Sequence, residues 1–189
     1  MKFESDIIRI LQANVTTGWL TFFQFATLLG SFLGLFLSSA IIFVKNKKLC
    51  VALLVTFVVA SIFNHFLKAF IGRARPFDSY NDIINYGNED GYSMPSGHSL
   101  CGGIFASFLI YNLILNNQNI ITRLLGTLAY TSIAFLIVFS RMVLGVHYLT
   151  DTIAGLFLGI SFAIVGIIVY NVVKKKHDSK PVKNNKRGE

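Results

Sequence analysis

Residues 49–67 read LCVALLVTFVVASIFNHFL, without one Asp, Glu, Lys or Arg, and Lys68 closes the run. About 20 apolar residues cross the hydrocarbon of a bilayer. In lipid such a segment must be helical, because its backbone N–H and C=O groups find partners only within the segment. Outward from this run, residues 20–44, 99–115, 124–140 and 152–173 are equally free of formal charge. The third and fourth of these five stretches are short for a span, so their flanks are expected to continue the helices. The fold class that follows is all-α, an integral membrane bundle of five transmembrane helices.

Composition agrees. The 189 residues are 53% hydrophobic and only 14% charged, with 18 Phe, whereas a soluble domain carries roughly 25% charged residues. An ordinary soluble domain fits this composition poorly, and a disordered chain, collagen and a disulfide-stapled secreted scaffold are excluded. The net charge of +8 does not point to nucleic acid, because seven of the 17 basic residues follow Val173 and three more lie in Lys45-Asn46-Lys47-Lys48. These are membrane flanks. An even number of crossings separates the two clusters, so both are expected in the cytoplasm. The connections 68–98 and 141–151 then lie outside. Cys50 and Cys101 fall near opposite faces and should not pair.

The domain reading has three parts. Residues 1–18 alternate Ile7, Ile8, Ile10 and Leu11 with Asp6 and Arg9, and are read as a short amphipathic helix on the outer membrane surface. Residues 19–173 form the transmembrane domain. Residues 174–189 are read as a basic, disordered cytoplasmic tail. The loop before the third span carries Asp78, Asp82, Glu89 and Asp90 and is read as a solvated lip, with cation or headgroup selection as the alternative. Gly30, Gly34, Gly155 and Gly159 have the spacing of close helix packing.

Ionisable residues near spans are expensive and therefore informative. Lys68 ends the second span, followed by Arg73 and Arg75-Pro76. Pro95-Ser96-Gly97-His98 opens the third, Ser140-Arg141 closes the fourth, and His147 and Asp151 open the fifth. All fall at one end of the bundle. Converging cations repel one another unless an anion sits among them; Arg forks and a Lys point charge suit phosphate. Ser96 and Gly97 sit at a helix N-terminus, where free N–H groups also favour an anion. The i, i+4 spacing of His147 and Asp151 predicts a shared helix face, on which the carboxylate orients the ring for attack. His98 can carry the leaving group's proton. The set describes phosphoryl transfer through a covalent intermediate, with no metal ligand set and no cofactor. Arg73 is divided between phosphate contact and headgroup anchoring.

Three blocks, Lys68-(six residues)-Arg75-Pro76, Pro95-Ser96-Gly97-His98 and Ser140-Arg141-(five residues)-His147-(three residues)-Asp151, together resemble the type 2 phosphatidic acid phosphatase (PAP2) superfamily, whose core is shared with haloperoxidases. The resemblance implies metal-independent dephosphorylation of a lipid phosphate or diphosphate through a phosphohistidine. By position, His147 is the implied nucleophile, Asp151 its partner and His98 the general acid. Lys68, Arg75, Ser96, Gly97 and Arg141 are the implied phosphate cradle. Many membrane members have six spans, against five plus a short N-terminal segment here. The expected partners are the bilayer and a lipid phosphate, foremost a polyprenyl diphosphate such as the undecaprenyl carrier. Phosphatidic acid and phosphatidylglycerol phosphate are the alternatives. A non-catalytic lipid-phosphate binder or transporter is the rival from another class. It would need the cations but neither His98 nor the His147–Asp151 pair.

Overall fold

The computed structural model describes residues 2–179, and among these the regular structure is entirely helical. The helices are α1 (Lys2–Ala13), α2 (Thr17–Leu28), α3 (Phe32–Lys45), α4 (Lys47–Ile71), α5 (Pro76–Ser79), α6 (Gly97–Asn116), α7 (Ile120–Val143) and α8 (Leu149–Asp178). Four of them, α4, α6, α7 and α8, are long and apolar enough to cross a membrane singly. The flanks of the third and fourth predicted spans do continue those helices.

The stretch 20–44 departs from the single straight span expected. It breaks between α2 and α3, and the two halves meet at 54°. Leu29, Gly30 and Ser31 each donate their N–H three residues back, to Ala26, Thr27 and Leu28, so α2 ends in a tight turn. Gly30 lies against α6, where an added Cβ would stand 2.9 Å from the His98 carbonyl. The break therefore lets the chain pass close to the start of α6.

Helix α6 is central and packs on α8, α7, α3 and α4. Glycines permit the closest approach, between α6 and α8. A Cβ on Gly155 or Gly159 would run into the carbonyls of Ser96 and Leu100, and one on Gly103 would stand 2.7 Å from that of Leu156. Ile42, Leu49, Leu53, Leu100, Ile104, Phe108 and Ala163 fill the core. Phe36, Phe66, Leu128, Phe157 and Val165 point outward and are exposed, which suits hydrocarbon rather than water.

Of the two expectations at the ends, one needs correction. Helix α1 is amphipathic and packs on the connections of the bundle. Arg9 pairs with Asp82 at 2.6 Å, Gln12 donates to the Ile84 carbonyl at 2.8 Å and Ile8 is fully buried with Ile83 and Tyr148. Ile8 faces the connections of the bundle, while Phe3 and Ile10 on another side of α1 are exposed. At the other end, α8 continues through Lys174, Lys175 and Lys176 to Asp178, where disorder was expected. Lysine is a good helix former, and cations favour a helix C-terminus. The rest of the predicted tail, and Met1, lie outside the described residues.

Candidate active site

Four helix ends meet on one side of the bundle, each terminated by local chemistry. Gly72 ends α4 with a left-handed φ of 62°, a conformation that favours glycine, and turns the chain back toward the bundle. Arg75 precedes Pro76 and is extended, as a residue before proline must be. Ser96 caps α6, accepting from the Ser99 N–H. Arg141 lies in the last turn of α7, and residues 144–148 lead into α8.

His147 does not share a helix face with Asp151. It precedes α8, and its Nδ1 lies 3.7 Å from the Asp151 carboxylate, beyond hydrogen-bond range. Ser93 connects them. Its hydroxyl donates to Asp151 Oδ2 at 2.5 Å, so its oxygen accepts from His147 Nδ1–H at 3.3 Å. That network assigns the Nδ1–H tautomer and leaves Nε2 unprotonated, as an acceptor that takes a hydrogen bond from Arg75 Nη1 at 3.4 Å. Burial pushes the His147 ring down to about 3, so the ring is neutral at physiological pH. Asp151 is immobilised further by Arg73 at 2.5 Å and by the Tyr148 N–H at 2.8 Å.

A cavity of about 350 Å³ opens beside His147 and is lined by Lys68, Arg75, Glu89, Gly97 and His98 among others. Lys68 reaches it while donating to the Tyr92 carbonyl at 2.6 Å. Arg75 is almost wholly buried and held by the carbonyls of Asp90, Gly91 and Val146. Arg141 donates to Thr27 at 2.7 Å, and its buried Nε has no partner. One carboxylate sits among these cations. Glu89 accepts from Arg141 Nη2 and from Arg75 Nη2 at 3.2 Å, and stands 3.6 Å from His98 Nδ1. Burial alone would raise its pKa, but Arg141, His98 and Arg75 outweigh that and hold the carboxyl below its ordinary value.

Of the eight residues singled out in the sequence, Lys68, Arg75, Gly97, His98 and His147 line one cavity, and Arg141 joins them through Glu89. Asp151 stands behind His147. Ser96 is not open to the cavity. Its hydroxyl is fully buried and occupied by Ser99, and its N–H donates to the Asp151 carbonyl. Arg73 does not line that cavity; it bridges Asp151 and Glu4. The acidic loop is not simply a solvated lip, since Glu89 turns inward and Asp82 pairs with Arg9. Ser93 and Thr27 were missed. No spacing marks either one, because each contact joins segments far apart in the chain. Glu89 was visible only as one of four loop acids.

A family model described as the PAP2 superfamily matches residues 49–177. An undecaprenyl-diphosphatase of Sulfolobus acidocaldarius is 32% identical over 138 residues, 71% of this chain and 63% of that protein. A phosphatidylglycerophosphatase B of Bacillus subtilis is 32% identical over 114 residues, 57% of this chain and 51% of the other. The chain thus matches between about half and two thirds of the length of these relatives. Among solved structures, that of a transmembrane PAP2 type phosphatidylglycerolphosphate phosphatase from Bacillus subtilis superposes with a TM-score of 0.73 at 24% identity, covering 96% of this chain and 88% of that one.

Proposed function

Because this chain belongs to the PAP2 superfamily, we propose that it is a membrane lipid phosphatase that forms a phosphohistidine on His147. The observation that carries this reading is the His147 ring itself. Its Nδ1–H is engaged through Ser93 with Asp151, while Nε2 is unprotonated beside a cation-lined cavity. A solely binding pocket has no use for an oriented, neutral imidazole.

In the proposed reaction His147 Nε2 attacks the terminal phosphorus, and the bond from phosphorus to the leaving oxygen breaks. Protonated His98 donates to that oxygen. Arg75, Arg141 and Lys68 stabilise the charge on the phosphoryl oxygens, and the Gly97 backbone allows close approach. The proton on Nδ1 lets positive charge on the phosphorylated ring be shared through Ser93 with Asp151. Neutral His98 then takes a proton from water, whose oxygen attacks phosphorus and releases His147 and inorganic phosphate. The nucleophile, the acid–base group and the cations in this sequence are all side chains of the protein, and the reaction is proposed to need no metal.

The proposed substrate is a polyprenyl diphosphate of the undecaprenyl type, with the site on the extracytoplasmic side. The activity for which the Sulfolobus relative is named supports the substrate. The side is supported by charge: Lys45, Lys47 and Lys48, and Lys174 to Lys176, stand at the helix ends remote from the cavity.

The test is phosphate release by the purified protein in detergent with a chelator present. Undecaprenyl diphosphate, phosphatidylglycerol phosphate and phosphatidic acid are the substrates. Turnover of the first above the others, lost in His147→Ala, is expected. Preference for either of the others overturns the substrate, and full activity in His147→Ala overturns the nucleophile.

A further inference from the structure

The Glu89 carboxylate sits among the cations that line the cavity. It bonds both arginines, lies within ion-pair reach of His98 and lines the cavity with Lys68 and His147. The two guanidiniums are 99% and 97% buried, and burying cations together without a counter-ion is strongly unfavourable. Glu89 supplies that counter-ion. Its side chain is one-quarter exposed, so rotation toward water can withdraw it without unfolding the helices behind. Its backbone is meanwhile held at both polar groups: Asn85 donates to the Glu89 carbonyl at 2.9 Å and accepts from its N–H at 3.3 Å. The chain on either side passes through left-handed residues, Asn88 (φ 48°) and Gly91 (φ 65°).

We propose that Glu89 is a built-in competing anion, which holds the cradle when no ligand is bound and must be displaced by the phosphoryl group. This rests on the reading of the cavity as a phosphate site. An intramolecular competitor lowers the affinity of every anion by one common factor, the reciprocal of the fraction of molecules in which it is withdrawn. It therefore weakens the hold on substrate and on released inorganic phosphate equally. A group that instead contacts substrate or moves a proton would change kcat rather than both affinities together.

The experiment measures inorganic phosphate binding to detergent-solubilised wild type and Glu89→Gln by calorimetry, with KM and kcat for the best lipid substrate alongside. In Glu89→Gln the phosphate Kd and KM should fall by the same factor, about tenfold if the carboxylate is withdrawn one time in ten. Unchanged or weaker phosphate binding overturns the proposal, and so does a large fall in kcat with KM unaltered. Should Glu89→Gln fail to fold, Glu89→Asp, which keeps the charge but shortens its reach, must tighten phosphate binding in the same direction. Calorimetry needs no turnover. Tighter binding in a variant of a protein that hydrolyses none of the lipids would sink the phosphatase reading and leave this one standing.

Discussion

The Asp151 carboxylate stands 3.7 Å from His147 Nδ1, and the Ser93 hydroxyl spans the gap with bonds of 2.5 and 3.3 Å. The orientation of the ring thus depends on a residue 54 positions earlier in the chain. Ser93→Ala should lower kcat on the order of 10²-fold by releasing the tautomer. KM and phosphate affinity should hardly change, because Ser93 does not face the cavity. Steady-state kinetics check this, and equal activity would remove Ser93 from the network.

Arg141 is held by Thr27 and Glu89 at the end of α7 and has a buried, unpartnered Nε. Truncating it to Ala should cut kcat/KM about 10²–10³-fold, as loss of a fixed transition-state donor does. Arg141→Lys should recover little, since an ammonium cannot reproduce the fork. Circular dichroism should report a helical protein in both variants.

Acid should destabilise the fold through His147. The native ring is pushed down to about 3 from an ordinary 6.5, so between those values the unfolded chain binds a proton that the native one refuses. Stability is therefore intact above pH 6.5 and declines as the pH falls toward 3. Glu89, held below its ordinary range, acts with the same sign at the acid end. Thermal melts at pH 7.5 and pH 5 should show a smaller acid-induced loss in His147→Gln than in the wild type.

Helix α1 is wired to the site. Glu4 accepts from Arg73 at 2.9 Å and from the Thr150 N–H and hydroxyl at 2.8 Å, and Arg73 holds Asp151. Glu4→Ala should weaken stability by about 1.5–3 kcal/mol, the range for hydrogen bonds to a charged group. It should also lower kcat a few-fold by loosening Asp151. Denaturation and kinetics on one preparation check both.

Gly155 meets the Ser96 carbonyl at the crossing of α6 and α8. Gly155→Ala should lower stability by about 1–3 kcal/mol through overpacking. Because Ser96 starts the helix that carries His98, activity should fall with it. An outward Phe157→Leu on the same helix should leave both unchanged.

The amino-acid sequence by itself determined the membrane helices, because lipid leaves an uncharged run of that length no other form. It also determined that Lys68, Arg75, His98, Arg141 and His147 gather at one end, since each adjoins a span boundary and spans alternate in direction. Tertiary structure alone decided the break at Gly30, the docking of α1, the Ser93 bridge and the inward turn of Glu89. Those depend on where loops land once the helices have packed. A loop serine or glutamate has the same local propensity facing water or an arginine, so only the assembled electrostatic field distinguishes the two.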